Sequence, residues 1–259
     1  MKPNISEFSY GYAITEELIH WRGANVTAVP VFPSLYQEGQ PGGGWDVMLD
    51  RAGIPLFLQF KLSDCMNRRS AYECQEGWLS PPFYRMHIRP ARFSDQHEML
   101  LDLENAGNEV YYSAPAFHEP WELNQAYLSH DVKNRSIWIR PSWIGPLLDD
   151  WDHHVAFQQP GTKRFCSESR LIEDRADFNS FSARIVSSIK ERGEVSLTKQ
   201  RLLSVAELLT GISQKRRDIP AKVYETTRAK AESLSPIEQI AFYSSMFLGV
   251  QLFIVNELG

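Results

Sequence analysis

Gln59-Phe60-Lys61 closes an almost wholly apolar run that begins Ile54-Pro55-Leu56-Phe57-Leu58. A run of this length and composition reads as a strand buried on both faces. A lysine at its end is costly unless it is paired or takes part in chemistry. Asp46 stands upstream, just after Gly42-Gly43-Gly44-Trp45, and Glu17 lies on the first helical stretch. Together these groups suit phosphodiester hydrolysis. Asp46 and a second acid would offer hard oxygen ligands to Mg²⁺ or Mn²⁺. Gln59 would add a neutral and weaker carbonyl oxygen. Lys61 would orient or deprotonate a water, or neutralise charge on the phosphoryl oxygens. A second reading stands beside this one: Lys61 leaves the sheet at the surface and Asp46 is its ion-pair partner, a contact that contributes little.

The positioning elements follow from periodicity. Tyr10 to Trp21 reads as an amphipathic helix with Ile14, Leu18 and Trp21 on one face, and Glu17 beside that stripe while Glu16 points elsewhere. Asn25 to Phe32 is a first strand. Asp46–Asp50 and Leu56–Leu62 are two more, joined at hairpin length by Arg51-Ala52-Gly53-Ile54. Alternation along the second puts Phe57, Gln59 and Lys61 on one face and Leu58, Phe60 and Leu62 on the other. If Asp50 pairs with Pro55, Asp46 falls opposite Gln59. Strand candidates follow at Phe83–Ile88, Glu109–Ser113 and Ser136–Arg140, with helices at Asp95–Ala106 and Glu119–Leu128 between them. Beyond residue 170 the pattern turns helical, at 176–191, 198–210, 220–233 and 236–258. The last of these starts with the strong signal Ser235-Pro236 and Glu238. The expected division is an α/β unit over 1–170 and an all-helical region over 171–259.

The order of a helix with Glu17, a strand, Asp46 on the next and Gln59-Phe60-Lys61 on the one after resembles the PD-(D/E)xK nuclease superfamily. Gln59 stands where that family usually has Asp or Glu, which is similar to the Gln-x-Lys of its Mrr-like branch. The resemblance covers residues 10–65. It implies a restriction-endonuclease-like core, a mixed central sheet flanked by helices. It also implies a site made of Asp46, Gln59, Lys61 and Glu17, with metal held by Asp46, Gln59 and Glu17. The implied activity is metal-dependent DNA cleavage, in a bacterial defence or restriction system. Gln59 removes one carboxylate, so a second acid, Glu17 or Glu38, becomes more important. The same departure supports an alternative, a catalytically inactive nuclease fold that serves as an assembly or sensing subunit.

The net charge of −5 over 259 residues excludes a generally basic nucleic-acid binder. Residues 1–150 carry 12 Lys and Arg against 19 Asp and Glu, a net of −7; the remainder carries 15 against 13, a net of +2. DNA contact would therefore be local, with Arg68 and Arg69 the best placed, and a homo-oligomer or a partner subunit would deliver the substrate. The apolar run Ile240–Val255 is read as a buried helix or oligomer contact rather than a membrane segment. Cys65, Cys74 and Cys166 form no disulfide or zinc-ribbon pattern and fit a reducing cytoplasm. His153 and His154, adjacent on a strand, point to opposite faces and cannot easily share a metal; one reads as core and one as surface. Trp138, Trp143 and Trp151 are assigned to the core.

Overall fold

The computed structural model describes residues 1–28, 53–158, 163–166, 170–172, 176–192, 199–215 and 219–256. Asp46, Glu38 and the glycine triplet lie outside these residues.

Two five-stranded sheets organise the described chain. The first has the order β1 (Asn25–Ala28), β10 (Gln251–Asn256), β2 (Ile54–Phe60), β5 (Glu109–Pro115), β6 (Ser136–Ile139). It is mixed: β2 and β5 run parallel, and every other pair is antiparallel. The second is antiparallel throughout, β3 (Ser63–Met66), β4 (Phe83–Ile88), β7 (His153–Phe157), β8 (Lys163–Phe165), β9 (Arg170–Leu171).

Helices cover both faces of the first sheet. Every residue of β2 is buried, and its side chains divide between two cores. Leu56, Leu58 and Phe60 pack with α1 (Glu7–Ile19) and α6 (Phe178–Arg192), through Tyr10, Ile14, Leu18, Phe181 and Ile185. Phe57 joins the other core with α3 (Gln96–Asn105), α7 (Lys199–Ser213) and α9 (Pro236–Tyr243). The alternation expected along this strand therefore holds. The remaining helices are α2 (Tyr72–Gln75), α4 (Pro120–Leu128), α5 (Pro141–Ile144) and α8 (Ala221–Ala231). Both cores draw side chains from before and after residue 170.

Three expectations are corrected. β2 takes β10 and β5 as its neighbours rather than a hairpin partner from 46–50, a segment that lies outside the described residues. Leu56 and Leu58 are flanked by Phe253 and Gln251 of β10 on one side, and by Glu109 and Tyr111 of β5 on the other. The region after 171 is not all-helical. Its last helix stops at Tyr243, one π turn follows over Ser244–Leu248, and Gly249 reverses the chain at φ 65°, a conformation glycine adopts without steric cost. Residues 251–256 then enter the sheet between β1 and β2. The periodicity misleads here because a run buried on all sides looks alike as a helix and as a central strand. Ile240–Val255 is thus largely internal packing, with Phe253, Ile254 and Val255 all buried. Finally, Trp138 is core and Trp143 packs at its margin, but Trp151 is 76% exposed. No helix among the described residues is long and apolar enough to cross a membrane.

Candidate functional site

Lys61 follows directly on β2, its backbone N–H donating to the Ser113 carbonyl at 2.9 Å, so the ladder with β5 still fixes it. Gln59 lies one pleat earlier and is 2% exposed. Its Nε2 donates to the Phe60 carbonyl at 3.2 Å, but its Oε1 has no hydrogen-bond partner among the described residues. A buried acceptor left in this state costs free energy and wants a donor or a cation.

Four further segments supply groups around these two side chains. The first turn of α3 supplies Gln96, whose Oε1 accepts from Lys61 Nζ at 3.0 Å. The turn before β10 supplies Leu248, whose carbonyl accepts from Gln96 Nε2 at 2.7 Å. At neighbouring Gly249 the positive φ favours glycine, and an added Cβ would lie 2.8 Å from Gln96 Nε2 and 3.6 Å from Gln59 Oε1, so the Gln96 amide would have to shift. The first turn of α1 supplies Glu7, and the segment after β4 supplies Arg89.

The electrostatics are those of a crowded mixed-charge cluster. Burial lowers the proton affinity of Lys61; Glu7 opposes that shift and Arg89 adds to it. Burial raises the Glu7 carboxyl, while Lys61 and Arg89 pull it down. Glu7 as a residue is largely exposed, so its shift is screened in part by solvent and the reduced proton affinity of Lys61 is the firmer of the two. Glu7 and Lys61 make no direct ion pair.

Glu17 is not part of this cluster. Ten residues along α1 from Glu7, it lies about 15 Å further down the helix axis. Its carboxylate is 2% exposed and accepts from Val132 N–H at 2.8 Å, Lys133 N–H at 3.0 Å and Lys133 Nζ at 3.0 Å. Its position beside the apolar stripe leads it to cap the loop before β6. Glu7 was missed because the helix starts earlier than its apolar pattern. Ser6 Oγ accepts from Ser9 N–H at 3.0 Å, an N-cap readable in the sequence as Ser6 followed by Glu7. Gln96 carries a similar signal, being the first helical residue after Asp95.

Arg68 and Arg69 are both exposed. They follow β3, whose four residues carry the chain about 13 Å away from Lys61. Arg68 lines a cavity of about 670 Å³ with Met1, Cys65, Asn67, Tyr72 and Arg85. The structure thus joins Gln59 and Lys61, adds Glu7, Gln96 and Arg89, and sends Glu17 elsewhere. No protein-family model, no curated protein and no solved structure matches this chain.

Proposed function

We propose that the chain is a divalent-metal-dependent DNA endonuclease, with its site at Gln59, Lys61 and Glu7. One observation carries the reading: a lysine of reduced proton affinity is hydrogen-bonded at the end of a central strand, next to a buried amide oxygen that has no donor among the described residues. The donor set fits Mg²⁺ or Mn²⁺. Gln59 Oε1 is an orphaned oxygen and Glu7 a nearby carboxylate, both hard ligands. Asp46 remains the third proposed ligand and Glu38 a further acid. When bound, the ion would polarise the phosphoryl oxygens and acidify a water.

The chain's own residues have separate tasks. Gln96 orients Lys61 through one hydrogen bond and is itself held by Leu248. Lys61, holding its proton weakly, is suited to take one from the attacking water. Arg89 adds positive charge that weakens that hold further and can face a phosphate oxygen. Arg68 and Arg69 would bind the nucleic-acid backbone further along the surface. A place in a bacterial defence system rests on the family resemblance alone.

The second reading, an inactive nuclease fold acting within an assembly, is favoured by Gln59 in place of an acid and by Lys61 already having a partner in Gln96. Incubation of plasmid DNA with the purified chain and Mg²⁺ or Mn²⁺, beside Lys61→Ala and Glu7→Gln, separates the two. Cleavage lost in both variants supports the enzyme. Cleavage equal in all three would sink the site assignment, and none under any condition favours the inactive subunit.

A further inference from the structure

The second sheet carries a different set of groups, remote in sequence from Lys61 and unlike it in chemistry. Glu73 in α2, His154 in β7 and Cys166 just beyond β8 bring a carboxylate oxygen, an imidazole nitrogen and a sulfur within 4.8 Å of one another. The Glu73 side chain is fully buried, Cys166 is nearly so and His154 is partly covered. Ala71, Leu79, Phe83 and Ala156 form the apolar wall around them.

We propose that Glu73, His154 and Cys166 form a binding site for a zinc-type divalent cation. A thiolate and an imidazole beside a carboxylate suit Zn²⁺, the sulfur and nitrogen being poor ligands for Mg²⁺, and three protein ligands leave one position open. Their supports are already built. Arg85 grips both Glu73 oxygens, Nε to Oε1 at 2.8 Å and Nη2 to Oε2 at 2.5 Å, and so fixes the carboxylate as an outer partner does in metal sites. His154 Nε2 already meets Glu73 Oε1 at 2.9 Å. His87 lies beside His154 with ring centroids 5.8 Å apart, and Asp64 Oδ2 holds it at 3.1 Å. Of the adjacent pair His153 and His154, expected not to share a metal, only His154 enters this site. The two do point to opposite faces, and His153 turns to Asp149 at 3.0 Å.

The proton balance is simple and involves no redox change. Zn²⁺ would take the lone pair of His154 Nε2, so the imidazole would have to move its proton to Nδ1 and give up the hydrogen bond from Nε2 to Glu73 Oε1. It takes the Cys166 sulfur as thiolate and releases that thiol proton to solvent. Burial and the neighbouring Glu73 charge push the Cys166 thiol up to about 12, so the ion has to displace a firmly held proton and affinity rises with pH.

The test uses the full reduced chain. Titration with Co²⁺ is expected to give the near-ultraviolet thiolate-to-cobalt band, saturating at one equivalent per chain and displaced by Zn²⁺. Cys166→Ser should abolish the band, and His154→Ala should weaken binding at least about tenfold. Cys65→Ser and Gln59→Ala should leave both unchanged, which keeps this site separate from the one at Lys61. Should Cys166→Ser fail to fold, alkylation of the wild-type chain decides: Zn²⁺ must slow modification of Cys166 at least about tenfold. Absence of the band in wild type, its persistence in a folded Cys166→Ser, or alkylation indifferent to Zn²⁺ overturns the proposal.

Discussion

Lys61 Nζ donates to Gln96 Oε1 at 3.0 Å, and the same amide donates through Nε2 to the Leu248 carbonyl at 2.7 Å. One side chain from α3 thus links the end of β2 to the turn that launches β10. Lys61 gains a fixed direction without gaining a countercharge, because an amide has none to give. Its reduced proton affinity follows from burial, with Glu7 opposing the shift and Arg89 adding to it.

Lys61→Met is expected to lose cleavage by at least about a hundredfold while raising stability at neutral pH. The sign follows from linkage. The fold holds the Lys61 proton less tightly than the unfolded chain does, so the folded state is penalised below the folded pKa, and the penalty fades as pH rises towards 10.5. A melting temperature above wild type at pH 7, with the two converging at higher pH, checks it. In wild type the rate should climb with pH through a value below that of a free lysine.

Glu7→Gln and Glu17→Gln should fail in different ways. Glu7 is exposed and part of no hydrogen-bonded core, so Glu7→Gln should cut activity at least about tenfold with an unchanged unfolding midpoint. Glu17 answers two backbone N–H groups and an ammonium from a buried position, so its loss should cost about 2–4 kcal/mol in urea unfolding. A folded and inactive Glu17→Gln beside an active Glu7→Gln would reverse the assignment.

Gly249→Ala should act twice. The left-handed backbone costs an alanine about 1–2 kcal/mol, and its Cβ would press on Gln96 Nε2. Displacing Gln96 frees Lys61, so activity should fall further than the loss of stability explains. Urea unfolding and cleavage rates on one preparation separate the two effects.

Glu73 governs acid behaviour. Burial alone would raise its carboxyl, but hydrogen bonds from His154 and Arg85 and the Arg85 charge hold it down at about 2. A depressed acid stabilises the fold fully above its unfolded value near 4.5, and that share is lost as pH falls towards 2. The share amounts to about 3 kcal/mol. Glu73→Gln should therefore flatten the decline of the urea midpoint between pH 4.5 and 2.

Deleting residues 250–256 should leave no cooperative fold, as seen by near-ultraviolet circular dichroism. Phe253 and Val255 pack against α1 and α6, and Leu252 and Ile254 belong to the opposite core. A detachable oligomer helix would instead leave a folded remainder.

The fold was legible where pattern and surroundings agree. β4, α3, β5, α4, β6, α6 and α8 each have one apolar face or clear ends, and their sequences say so. β3 was passed over because only Ser63 and Cys65 of its four residues are buried. β10 was misread because both its faces are apolar, so period 2 and period 3.6 leave the same trace. The site was half legible. Gln59 and Lys61 stand out as polar groups closing an apolar strand. Glu7, Gln96 and Arg89 do not, since each is an ordinary surface residue until the helices bring it to the strand end. Glu17 looked functional because it is an acid beside an apolar stripe, and the same position is what buries it against Val132 and Lys133.

The seat of β10 also sets a clock. Val255 pairs with Ile54, and Leu248 with Gly249 forms one wall around Lys61, yet about 190 residues of chain separate β2 from that wall. At ordinary rates of synthesis the ribosome needs about 10–40 s to add them. Throughout that interval the nascent chain holds Gln59 and Lys61 but not the turn that holds Gln96 in place. A copy made only that far has the chemical groups without the means to aim them.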